Sequence, residues 1–211
     1  MSKLNEQYCM RNLRFLLMAA FFICTATPMF AQTKPTDDVK SIDAYCKTID
    51  VLTARRKASL IFADTSDYTD AKAKQEWQKF ATEKALEKFR ETTETYNIAY
   101  NWQKNGRIAA ANFTSFSASG DWAMYIFHCF RDDGSLARAK LELRTFYGDY
   151  IVTQLRYFDR GGKVLRKSIK YQDLTTRKPK KPPSDYNSNF SEADVFMKTS
   201  KLPFAHLLNK K

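Results

Sequence analysis

The chain has 211 residues, 44% hydrophobic and 14% aromatic, which is enough for one well-filled core. Its 35 lysines and arginines against 23 acidic residues leave a net charge of +12, which favours anionic surfaces and polymers without naming a partner. Two histidines are too few for a His-rich metal site, and the GxSxG, HExxH, CxxC, Walker and GxGxxG signatures are missing, so no enzyme chemistry, cofactor or metal is expected.

Residues 1–31 read as a secretory signal peptide. The uncharged run 15–26 (FLLMAAFFICTA) follows Arg11 and Arg14 and is closed by Pro28. Cleavage is expected after Ala31, with Cys24-Thr25-Ala26 as a second small-x-small site and Met10 as an alternative start. A retained anchor needs about 20 apolar residues, and the run is shorter. Lipidation of Cys24 would need a small residue where Ile23 stands. The expected location is secreted or periplasmic, with no transmembrane segment after processing. Losing Lys3, Glu6, Arg11 and Arg14 removes three cations and one anion, so the remainder stays basic.

Residues 32–175 read as a single α+β domain: an N-terminal helical hairpin packed on a five- to six-stranded antiparallel β-meander, followed by an extended C-terminal tail. After a leader at 32–36, a first helix is predicted over 37–63, capped by Thr36 or Asp37. Its apolar residues Ile42, Cys46, Ile49 and Leu52 recur at helical spacing, with a basic break at 55–57. The polar turn 64–70 carries three aspartates but lacks an EF-hand's glycine and closing glutamate, so they read as helix caps. A second helix is predicted over 70–92 from the apolar stripe Ala73, Trp77, Phe80, Ala81, Ala85 and Phe89.

From residue 96 to 175 the period is two. Gly106, Gly120, Gly134, Gly148 and Gly162 stand 14 residues apart, the length of one strand plus a tight turn. Three-residue loops closed by a left-handed glycine, such as Asp132-Asp133-Gly134 and Lys104-Asn105-Gly106, would keep one residue parity on one face across every hairpin. On that premise Ala137, Ala139, Leu141 and Leu143 face inward with Cys129. Arg138, Lys140, Glu142, Arg144, Gln154, Arg156, Arg166 and Lys170 face outward. Residues 176–211 form a basic, Pro-rich strap and a tail whose Phe196, Leu202, Phe204, Leu207 and Leu208 are apolar anchors.

Cys46 and Cys129 remain after export, and both fall on the helix–sheet contact. A disulfide is predicted between them, with buried thiols as the alternative. The bridge would close about 84 residues and stabilise the fold by roughly 4 kcal/mol in the chain-entropy model.

The sequence points to a non-enzymatic binding module for an anionic or protein partner. The candidate residues are Arg138, Lys140, Arg144, Arg156, Arg166 and Lys170, read as a platform for an anionic polymer or an envelope surface. Trp122 and Met124, beside Ile108, Ala110 and Ile126, form an apolar patch for a protein partner or homodimer unless the C-terminal anchors cover it. His128, on the same parity, reads as a structural or surface residue. Too few aromatics interleave with the cations for specific nucleic-acid recognition. The alternative function is a carrier of a small apolar ligand between sheet and helices, where Ala109, Ala111, Ala123, Ala137 and Ala139 leave room.

Overall fold

The computed structural model describes residues 38–66, 74–182 and 195–208. The predicted signal peptide, the leader, most of the polar turn 64–70 and most of the polar stretch after Pro182 lie outside them.

A helix, α1 (Val39–Arg55), starts where the Asp38 side chain accepts the Ser41 N–H at 2.9 Å. It buries Ile42, Cys46 and Ile49, the i, i+4, i+7 stripe. The basic break at 55–57 ends it. The expected continuation to Ala63 is instead a strand, β1 (Leu60–Asp64), in which Ile61, Phe62 and Ala63 are all buried. A strand between two others, covered on both faces, needs an uninterrupted apolar run, and that is what these residues supply.

The second predicted helix is corrected in the same way. Within 70–92 the chain forms a strand β2 (Trp77–Phe80) and only then a helix α2 (Glu83–Arg90). Trp77 and Phe80 are both buried, and their spacing of three imitates a helical stripe. Thr82 caps α2 by accepting the Ala85 N–H at 3.1 Å, with Glu83 in the first turn. Both predicted helices are thus shorter than expected, and between them the paired strands β1 and β2 replace the end of the first and the start of the second.

The remaining strands follow the glycine ladder: β3 (Asn97–Lys104), β4 (Arg107–Phe116), β5 (Trp122–Phe130), β6 (Leu136–Thr145), β7 (Tyr150–Phe158) and β8 (Val164–Asp173). They join β1 and β2 in one eight-stranded antiparallel sheet of order β2-β1-β3-β4-β5-β6-β7-β8, wider than the expected five or six strands. All five ladder glycines have φ between 70° and 90°, each at a turn between strands.

The parity expectation fails, and the reason is local. Asp132-Asp133-Gly134 and Arg160-Gly161-Gly162 are three-residue loops, closed by Arg131 N–H to Ser135 O and Asp159 N–H to Lys163 O. Beside each lies a register shift, at Cys129/Phe130 and at Tyr157/Phe158, which absorbs one residue. Asn105-Gly106 is a two-residue loop with both φ positive, and it too has a shift nearby. At the other end the loops hold four residues, between Ser117 and Trp122 and between Thr145 and Tyr150. From β4 onward each hairpin thus exchanges odd for even numbers on a given face.

One face carries α1. There Ile42, Cys46, Ile49, Ala109, Ala110, Cys129, Ala137 and Tyr157 make a cluster crossed by the Cys46–Cys129 disulfide. The opposite face is covered by the tail, which contributes a 3-10 turn (Thr199–Lys201) and a short helix, α3 (Ala205–Leu208). Phe204 stacks on Phe62 at 4.1 Å and meets the Trp77 edge at 5.5 Å. The tail is stitched in place by Leu136 N–H to Met197 O and Thr199 N–H to Gly134 O, both 2.9 Å.

Candidate binding surface

Registers across β4 to β8 put whole rows of side chains on the α1 side. Nearest the helix axis runs Ala110, Cys129, Arg138, Tyr157 and Arg166; the next row is Asn112, Phe127, Lys140, Leu155 and Ser168. Then come Thr114, Tyr125, Glu142, Thr153 and Lys170, followed by Ala123, Arg144, Ile151 and Gln172. Five of the six predicted cations share this side. Arg156 does not: it sits on the tail side, 5% exposed and hydrogen-bonded to Gln154, because each β-hairpin reverses parity.

Arg138 also leaves the platform. It is buried and bridges to α1, with Nη2 at 2.6 and 2.8 Å from the two Asp50 oxygens and Nη1 at 3.6 Å from Asp43. The Tyr157 hydroxyl donates to Asp43 at 2.8 Å. Hydrogen bonds from Lys47 and Tyr157 hold the Asp43 carboxyl below the ordinary aspartate range. Arg138 is therefore a clamp between helix and sheet.

Beside the C-terminal half of α1 lies a cleft of about 500 Å³, lined by Asp50, Thr53, Asn112, Tyr125, Phe127, Arg138, Lys140, Glu142, Arg144 and Leu155. Tyr125, Phe127 and Leu155 give it apolar walls. Glu142 stands among the charges, 2.7 Å from Arg144 Nη2 and 3.0 Å from Lys140 Nζ. Burial pushes its pKa up, but the hydrogen bonds from Arg144 and Lys140 outweigh this and hold it below the ordinary glutamate value. One carboxylate thus sets two cationic heads side by side. Each head keeps donors for other acceptors, since an ammonium has three and a guanidinium five. Arg144 also lies over the Tyr125 ring, 4.7 Å from its centroid, and Arg166 over Tyr157 at 4.6 Å. Lys170, one strand beyond Thr153, is exposed.

The other candidates sit elsewhere. Trp122 opens β5 at 38% exposure, and Met124 is half-buried against the tail-side cluster. The face around them is occupied by the tail: Phe196 packs on Phe113 at 5.0 Å and donates its N–H to His128 Nε2 at 3.1 Å. His128 is fully buried, and this contact with its Nδ1 at 3.2 Å from Ile126 O fits an imidazole protonated at Nδ1. Among the described residues no group of His, Cys, Asp and Glu is arranged to hold a metal, and no helix is long and apolar enough to cross a membrane.

Asp50, Thr53, Tyr125 and Phe127 were missed by sequence reasoning. Asp43 and Asp50 stand seven apart on α1, each next to a buried isoleucine, and that spacing was a readable sign of a charged helix flank facing the sheet. No family model, curated protein or solved structure matches the chain.

Proposed function

We propose that the protein is an exported, non-enzymatic binding module that holds an anionic partner against the α1 side of its sheet. The reading is carried by one observation: Lys140, Arg144, Arg166 and Lys170 share that side, and the first two are held together by Glu142 on the rim of an aromatic-walled cleft. Such an arrangement pre-positions cations for an anion, which lowers the ordering cost of binding. The alternative, an apolar ligand between sheet and helices, draws no support from the α1 contact. Ala110 and Ala137 are where the helix comes close, and the disulfide fills that layer.

Heparin serves as the probe polyanion. The mature protein is expected to be retained and released by moderate salt, as screening weakens exposed charge contacts. K140E/R166E/K170E is expected to abolish retention with the far-UV spectrum unchanged. Unchanged retention by that variant would sink the proposal.

A further inference from the structure

β8 is an outer strand of the sheet, and among the described residues the strap pairs with only one end of it. Asp173 donates its N–H to Lys178 O at 2.9 Å, and Lys180 donates to Tyr171 O at 3.1 Å. Odd-numbered residues at this end therefore turn their backbone groups away from β7. With the strand period of two, Ile169 and Lys167 do the same, and the register shift near Leu165 ends the pattern. In the strap's register the next residue to face β8 is Pro182, opposite Ile169, and it has no N–H to donate to the Ile169 carbonyl. Among the described residues, nothing pairs with the outward backbone groups of Lys167 and Ile169.

The side chains of this open edge are equally particular. Arg166 and Lys170 point to the α1 side, Ile169 and Tyr171 to the other. Val164, Leu165 and Ile169 are 46%, 39% and 41% exposed. Lys163, Arg166, Lys167 and Lys170 have no acidic residue among them. Edge lysines discourage a sheet from pairing with its own copies, and two β8 strands side by side would bring like charges together. The same row favours a strand of opposite charge.

We propose that β8 accepts an extended acidic segment of a partner protein as a ninth strand, with acidic side chains facing Arg166 and Lys170 and apolar ones facing Ile169. Backbone pairing supplies the affinity and the alternation supplies the selection. The strand site shares Arg166 and Lys170 with the anion-binding side but none of the cleft lining, and its demand for backbone amides is one that a polysaccharide cannot meet.

The test uses the mature protein and a fluorescent eight-residue peptide of alternating Glu and Val. Binding is expected by anisotropy, with the Lys167 and Ile169 amides slowed at least about tenfold in hydrogen exchange. A peptide of the same sequence, N-methylated at every second residue so that its edge-facing donors are lost, is expected to bind at least about tenfold more weakly. The I169P variant, which removes an edge N–H at a position where proline is tolerated, is expected to lose the peptide and keep its heparin retention. Equal binding of the methylated peptide, or unprotected amides, would overturn the proposal. No binding at all would overturn it too, and heparin retention in the same preparation would show that the cleft reading had survived.

Discussion

At the scale of single residues, Arg138 shows how a charge can be read correctly as basic and wrongly as a surface. Numbering alone places it with Lys140 and Arg144, and the register does keep the three on one face. Their difference is α1, which lies over Arg138 and supplies Asp43 and Asp50. Arg138→Met should destabilise the fold by about 2–3 kcal/mol in urea titration, the scale of losing charge-assisted hydrogen bonds from a buried donor to partly exposed acceptors. Acid sensitivity belongs here too. Asp43 and Glu142 have folded-state pKa values below their ordinary ones. Their stabilisation is full above the unfolded-state values, near pH 4 to 4.5, and is lost as pH falls through the lower folded-state values. E142Q should therefore flatten the acid limb of the stability–pH curve and leave the curve above about pH 6 parallel to wild type.

Among elements, the glycine ladder was legible and its consequences were only half so. Turn positions follow from a residue that alone tolerates positive φ cheaply, and all five were placed correctly. Gly134 adds a steric reason: a Cβ there would lie 2.7 Å from Thr199 Oγ1 of the tail. Gly134→Ala should cost at least about 1 kcal/mol by thermal unfolding and loosen the tail with it. The bulges left no sign in composition, because each is a register choice made by two strands together. Arg156 was assigned to the wrong face for a different reason: β6 and β7 pair without a shift, and the four-residue loop between Thr145 and Tyr150 reverses the parity by itself. β1 and β2 were hidden differently: Leu60 to Ala63 and Trp77/Phe80 fit a helical stripe, and strand pairing overrode it. The disulfide was legible from helix periodicity, which puts Cys46 on the buried stripe of α1; Cys129 does face α1, but the parity premise that grouped it with Ala139 and Leu141 fails. C46A/C129A should lose about 2–4 kcal/mol, and the intact protein should gain two mass units on reduction.

The described residues form a wide antiparallel sheet with α1 and its disulfide on one side and the aromatic tail on the other. The tail covers the apolar face that the sequence left either to the C-terminal anchors or to a partner, so F204A should cost about 3–5 kcal/mol by removing a fully buried ring from Phe62 and Trp77. The surfaces proposed for binding are the exposed part of the α1 side and the β8 edge. The proposed anion site requires retention by one side of the sheet and not by net charge. It is tested by comparing heparin elution of K140E/R166E/K170E with K79E/K88E/K201E, three exposed lysines away from the cleft. Both variants change net charge equally. Retention should be lost in the first, and the second should elute near wild type. Equal losses in both would contradict the proposed site.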